Sequence, residues 1–127
     1  MTTDITIILS TYNEKASIEN TINELIKHIA NVEIVVVDDN SPDGTYEILQ
    51  KLNYPKLKIF SRKKAKGLAS AFLLGLINSN GNIIGWVDSN MSSVVKKFPE
   101  MISSLKSADI VLLSRYIDGG KDDRNAI

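Results

Sequence analysis

The chain has 127 residues, which is one domain with room for a real core. Fifteen basic and fifteen acidic residues cancel, so nothing global argues for nucleic acid or an anionic membrane surface as a partner. No cysteine is present, which excludes disulfides, thiolate metal sites and thiol nucleophiles and fits a reducing cytoplasm. The N-terminal Met-Thr-Thr-Asp leads straight into apolar sequence, without the basic-then-apolar pattern of a signal segment. No apolar run approaches the ~20 residues needed to span a bilayer. The expected location is cytoplasmic, at most peripheral to a membrane.

In chain order the pattern alternates strand and helix. Ile5 to Ser10 reads as a strand rich in β-branched residues. Ile18, Ile22, Leu25, Ile26 and Ile29 recur at helical spacing and predict an amphipathic helix over about Lys15 to Ala30. Glu33 to Val37 is a second strand. Its unbroken Val-Val-Val run predicts burial on both faces, as in a parallel sheet flanked by helices. Ser41 and Pro42 suit the start of a helix running to about Leu52. Leu57 to Ser61 is a third strand, and Arg62 to Lys66 reads as a solvated basic loop. Gly67 opens a helix to about Asn78, with Leu68, Phe72, Gly75 and Leu76 on one face. Asn82 to Val87 is a fourth strand, Met91 to Lys97 a polar loop, and Phe98 to about Ser107 a helix. Asp109 to Leu113 is expected as a fifth strand. The polar stretch 118–127 reads as a flexible tail behind a domain of residues 1–117. The chain ends abruptly after a strand, as a longer protein cut short would.

Strands alternating with helices through short links predict an α/β fold, in which ligands bind at the carboxyl ends of the strands. Two strands end there on carboxylates. Asp38 and Asp39 close the second strand, where they can accept from base N–H groups or ribose hydroxyls, or hold a cation through hard oxygens. Capping of the next helix is the alternative. Asp88-Ser89-Asn90 closes the fourth strand. A carboxylate and an amide oxygen one residue apart can bridge a Mg²⁺ or Mn²⁺ that also holds a diphosphate, although the triplet is also good turn chemistry. Thr11-Tyr12-Asn13-Glu14 follows the first strand on the same edge. Tyr12 can stack on a base and Glu14 can accept from one, unless Asn13 simply caps a helix. Ser114-Arg115-Tyr116 adds a cation that can grip phosphate oxygens bidentately or form a surface ion pair. His28 reads as structural, a lone histidine without cysteine argues against a zinc site, and no nucleophile elbow is present.

Ser10-Thr-Tyr-Asn-Glu14, Val36-Val-Asp-Asp-Asn-Ser-Pro-Asp-Gly-Thr45, Gly67-Leu-Ala-Ser-Ala-Phe72, the Asp88 triplet, Ser114-Arg-Tyr116 and Gly119-Gly120 occur in that order. In that order they resemble the family 2 glycosyltransferases, and most closely the dolichyl- or polyprenyl-phosphate mannosyl- and glucosyltransferases. The resemblance covers essentially the whole chain. It implies a Rossmann-like GT-A domain, with a mostly parallel sheet and helices on both faces. It implies a metal-dependent enzyme that binds GDP-mannose or a UDP-hexose with Mg²⁺ or Mn²⁺. The sugar then passes, with inversion, to an acceptor such as a polyprenyl phosphate. Carried over by position, Tyr12, Glu14 and Asp39 contact base and ribose, with Thr11, Asp38 and Ser89 beside them. Asp88 and Asn90 stand at the metal motif, and Asp88 and Arg115 serve catalysis at the diphosphate. The family motif is Asp-x-Asp, so Asn90 removes one charge and predicts weaker cation binding.

Two other readings make different predictions. A relic or regulatory module would keep the fold and bind nucleotide with little metal dependence. A phospho-receiver domain would need its acidic pair after the first strand, whereas here the pair follows the second. The resemblance implies a longer family domain, so an acceptor-binding half is expected beyond these 127 residues, and the apolar surface its absence would leave predicts self-association as a homo-oligomer.

Overall fold

In the computed structural model, residues 4–64 and 67–114 are described. Arg115, the expected boundary at 117, the stretch 118–127 and the end of the basic run at Lys66 lie outside the described residues. The chain divides into two compact units, Met1–Lys96 and Lys97–Ile127.

The first unit is built on four parallel strands, β1 (Ile5–Thr11), β2 (Glu33–Asp38), β3 (Leu57–Ser61) and β4 (Ile83–Trp86), in the order β3-β2-β1-β4. Burial explains the composition of the central pair. Ile34, Val35, Val36 and Val37 of β2 and Ile8 and Leu9 of β1 are wholly buried. Residues that point to opposite faces can all be buried only if both faces are covered. Each such side chain contributes roughly 1.5–3 kcal/mol of burial.

The crossovers are α1 (Ile18–His28), α2 (Thr45–Lys51) and α3 (Leu68–Ile77). Those from β1 to β2 to β3 step one way across the sheet, and the crossover from β3 to β4 steps back past β1. With a fixed right-handed sense, α1 and α2 then cover one face and α3 the other. Consistent with this, α1 packs on α2 while α3 packs on β1 and β2. The order is that of a Rossmann-like sheet. A receiver domain begins 2-1-3, so the topology removes that reading.

Several boundaries differ from expectation for local reasons. Helix α1 starts at Ile18 rather than Lys15: residues 15–17 form a turn on the Glu14 carbonyl, and the N–H groups of Asn13, Glu14 and Lys15 donate to the neighbouring loop. Helix α2 starts at Thr45, behind Gly44, and not at Ser41. The Ser41 N–H and hydroxyl both donate to the Asp38 carboxylate, so Ser41 caps nothing. Of the face expected on α3, Gly75 is buried and Phe72 half-buried, but Leu68 and Leu76 are exposed, and Ala71 is buried in their place. Glycine sets this geometry. A Cβ on Gly75 would lie 2.5 Å from Cγ2 of Ile8, so only a bare Cα lets α3 sit this close to β1. Residues Ser92–Lys97, expected as loop, form a 3₁₀ helix with Val95 wholly buried as its anchor.

The second unit contains α4 (Phe98–Ser104), with Pro99 in its first turn, where the missing N–H costs nothing. The fifth strand expected over Asp109 to Leu113 does not form. A strand needs a neighbour to take its N–H and C=O groups, and none of the described strands pairs with this segment. Ile110 and Leu112 are instead exposed.

Candidate functional site

The sheet order reverses at β1, since the chain moves from β1 to β2 on one side and returns to β4 on the other. The loops at the carboxyl ends of β1 and β4 therefore diverge and leave a crevice. A cleft of about 330 Å³ opens there. Strand β1 and its loop contribute Ser10, Thr11, Tyr12 and Glu14, β2 contributes Asp39, and the loop after β4 contributes Asp88, Ser89 and Asn90. Gly67 and Leu68, at the start of α3, complete the lining.

Asp38 is not on that wall. It is wholly buried beneath it. Its carboxylate accepts from the Thr11 hydroxyl at 2.7 Å, the Ser41 hydroxyl at 2.6 Å and the Ser41 N–H at 3.0 Å. Three donors satisfy a buried charge that would otherwise be costly. The same bonds tie the β1 and β2 loops together. Asn13 donates its N–H to the Ser41 hydroxyl, Glu14 to Thr45 Oγ1 and Lys15 to Asp43 Oδ2, at 3.0–3.1 Å. Asn13 and Asn40 take the left-handed conformation in these loops, with φ of 54° and 56°. Asparagine tolerates that region better than most residues. Asn13 is thus a hinge of the loop, not a helix cap. The hydroxyl and N–H of Thr45 both donate to Asp43, and the hydroxyl bond leads in holding its carboxyl below the usual range.

Asp39 faces the cleft, and its carboxylate is gripped by Arg62. The Arg62 Nε donates to one oxygen and an Nη donates to the other at 2.8 Å. The guanidinium also donates to the Ser70 hydroxyl at 2.7 Å and the Gly67 carbonyl at 3.1 Å. Arg62 is therefore no solvated loop residue. It joins β2 and β3 to the start of α3. The signal for it lay in the register: Asp38 pairs with Ser61, so the next residues, Asp39 and Arg62, leave adjacent strands side by side.

Beyond β4 the chain enters a turn, closed by the Met91 N–H on the Asp88 carbonyl. Val87 and Ser89 are buried while Asp88 and Asn90 are exposed. The two hard-oxygen side chains both line the cleft. Among the described residues no three His, Cys, Asp or Glu side chains form a self-sufficient metal cluster. Mg²⁺ and Mn²⁺ do not need one, because they take one or two protein oxygens and fill the shell from phosphate and water. The donor set fits such an ion.

Glu14, Asp39 and Asp88 line the cleft, and no described lining residue is a cation; Arg62, behind the wall, offsets Asp39 and leaves Glu14 and Asp88 to make the lining acidic. Tyr12 is 57% exposed, which leaves its ring free to stack. Of the expected site residues, the cleft brings together Thr11, Tyr12, Glu14, Asp39, Asp88, Ser89 and Asn90. It leaves Asp38 underneath, and Arg115 lies outside the described residues.

The chain is similar to several known proteins. A dolichol-phosphate mannosyltransferase of Pyrococcus furiosus is 37% identical over 122 residues, covering 92% of this chain and 34% of the relative. An undecaprenyl-phosphate mannosyltransferase of Micrococcus luteus is 29% identical, covering 90% of this chain and 49% of the relative. The chain therefore spans between a third and a half of their length. Among solved structures, S. aureus TarS 1-349 superposes with a TM-score of 0.67 at 27% identity, covering 81% of this chain and 33% of that one. The mannosyltransferase PcManGT from Pyrobaculum calidifontis, in complex with GDP-Man and Mn²⁺, gives 0.63 at 26% identity, covering 71% and 30%. The fold is that of the GT-A glycosyltransferases. The model for Glycosyl transferase family 2 matches residues 6–126, and the chain belongs to that family.

Proposed function

We propose that the cleft binds a nucleotide diphosphate sugar together with Mg²⁺ or Mn²⁺, and serves transfer of the sugar with inversion to a polyprenyl phosphate. The observation that carries this reading is the acidic lining. A diphosphate cannot enter a wall of carboxylates without a counter-charge, and Asp88 and Asn90 supply the oxygens that would hold one. When bound, the cation offsets the charge that builds on the leaving diphosphate. Tyr12 stacks on the base, and Glu14 and Asp39 accept from base and ribose. Thr11 and Ser89 give polar lining, and Asp38 acts from below by fixing both loops. Arg115 is assigned to the diphosphate or the acceptor phosphate.

An acceptor phosphate oxygen forms its bond to the anomeric carbon from the face opposite the diphosphate. The bond from that carbon to the diphosphate oxygen breaks, and its electron pair leaves with the diphosphate. Because the attacking phosphate is already an anion, no protein base has to take a proton. The names of the Pyrococcus and Micrococcus relatives favour mannose and a polyprenyl-phosphate acceptor. The PcManGT complex favours GDP-mannose and Mn²⁺. Such an acceptor would bring the domain to a membrane surface. Among the described residues no helix is long and apolar enough to cross one. Self-association belongs to the same reading: Leu73, Ile77 and Trp86 are exposed, and a monomer by light scattering at high concentration would remove it.

Asn90 favours a second reading, a domain that binds nucleotide weakly with little metal dependence. Crystals soaked with GDP-mannose and Mn²⁺, with data collected at the manganese edge, separate the two. The first reading expects an anomalous peak between Asp88, Asn90 and the diphosphate. Bound nucleotide with no such peak supports the second.

A further inference from the structure

The face of α1 that packs inward carries Ile18, Ile22 and Leu25, and among them one polar side chain, Thr21, which is wholly buried. Its hydroxyl does not turn back to its own helix. It donates to the carbonyl of Ser89, across the core. Ser89 is the residue between Asp88 and Asn90, and it is itself 2% exposed. One residue earlier on the helix, Asn20 donates its amide N–H to the Ser92 hydroxyl at 3.0 Å, just past the same loop. The Met91 N–H donates to the Asp88 carbonyl at 3.0 Å and closes the loop as a turn. The loop is therefore held from behind by one helix at two points.

We propose that Thr21 is a positioning residue for the cation site, acting through the Ser89 carbonyl to aim Asp88 and Asn90 into the cleft. The inference rests on the donor-site reading above. The physical reasoning is the turn. Asp88 and Asn90 flank Ser89 and both line the cleft, so a bond that holds the Ser89 carbonyl inward fixes the turn from which both side chains project. Valine has nearly the shape of threonine and would pack as well on this face. The hydroxyl is what valine lacks, and its single described bond is to this loop. A site with one carboxylate and one neutral amide depends heavily on orientation, because it has little charge to spare.

The test is calorimetric titration of the chain with GDP, and in parallel UDP, each in Mn²⁺ and in EDTA. The ratio of the two affinities is the coupling between metal and nucleotide. In Thr21→Val that ratio falls about 10-fold or more, as for other groups that orient metal ligands, while the affinity in EDTA is unchanged. Thr21→Ser keeps the hydroxyl and the wild-type ratio. Asn20→Ala, at an exposed position that puts folding at no risk, lowers the ratio in the same direction by less. Amide exchange at Met91 accelerates in Thr21→Val while β1 and β2 keep their protection. A wild-type ratio retained in Thr21→Val, or in Asn20→Ala should the valine variant not fold, overturns the inference alone. A wild-type chain whose nucleotide affinity is the same in Mn²⁺ and EDTA overturns the inference and the metal-dependent donor site together.

Discussion

Asn90 and Arg62 set the chemistry of the cleft in opposite ways. In the proposed site Asn90 would offer the cation a neutral oxygen where a carboxylate would bind harder. Asn90→Asp should tighten Mn²⁺-dependent nucleotide binding by about 1–3 kcal/mol, the scale of one charged contact. Calorimetry reads this directly, and unchanged affinity would mean that the ion does not sit at residue 90. Arg62 fixes the carboxylate assigned to the base and ribose, at two part-buried side chains. Arg62→Ala leaves Asp39 charged and without its bidentate partner, so stability should fall by about 1–3 kcal/mol. Nucleotide binding should weaken even in EDTA. Arg62→Lys should restore only part of either, because an ammonium cannot reproduce the fork. Urea midpoints and titrations of the two variants check both statements. At this scale the chain was partly legible. Adjacent carboxylates at strand ends pointed to the cleft, but nothing in Asp38-Asp39 says that the first turns under the wall and the second faces it. That depends on the pleat and on which loop supplies donors.

Among elements, the end of the sheet opposite the cleft is tied by one side chain. Glu33, the first residue of β2, accepts from Thr6 of β1 at 2.8 Å and from the N–H and side-chain amide of Asn80 at 2.7 and 2.9 Å. It also pairs with Lys58 of β3 at 3.2 Å. Burial pushes its carboxyl up, but these donors outweigh it and bring the pKa down to about 2, from an ordinary 4.5. A carboxyl depressed on folding adds stability that is full above its unfolded value and fades as the folded value is approached. Glu33 should therefore stabilise fully above about pH 4.5 and lose its contribution as pH falls toward about 2. The urea midpoint of the wild type should drop more between pH 6 and pH 3 than that of Glu33→Gln. Equal drops would contradict this role. Periodicity located β1, α1, β2 and β3 to within a few residues, because their burial is enforced by the sheet. It placed Gly75 correctly on the inner face of α3 but not Leu68 and Leu76, because a backbone approach at Gly75 rather than the largest side chains decides the contact. It also placed a strand at Asp109 to Leu113, where apolar, β-branched sequence has no described ladder partner.

For the molecule as a whole, the strand order puts the crevice at β1 and β4, and the family assignment gives that crevice its class of chemistry. A neutral chain carries no global charge to attract a diphosphate, so on the proposed reading attraction is local, from a bound cation and from Arg115. The central claim is that this cleft is a metal-assisted donor site. It is tested most directly by calorimetric titration with GDP-mannose and with UDP-glucose, each with and without Mn²⁺, using Asp39→Ala as the control. The account predicts binding of one donor that Mn²⁺ strengthens and the Asp39→Ala control abolishes. Binding of neither donor under any condition would contradict it.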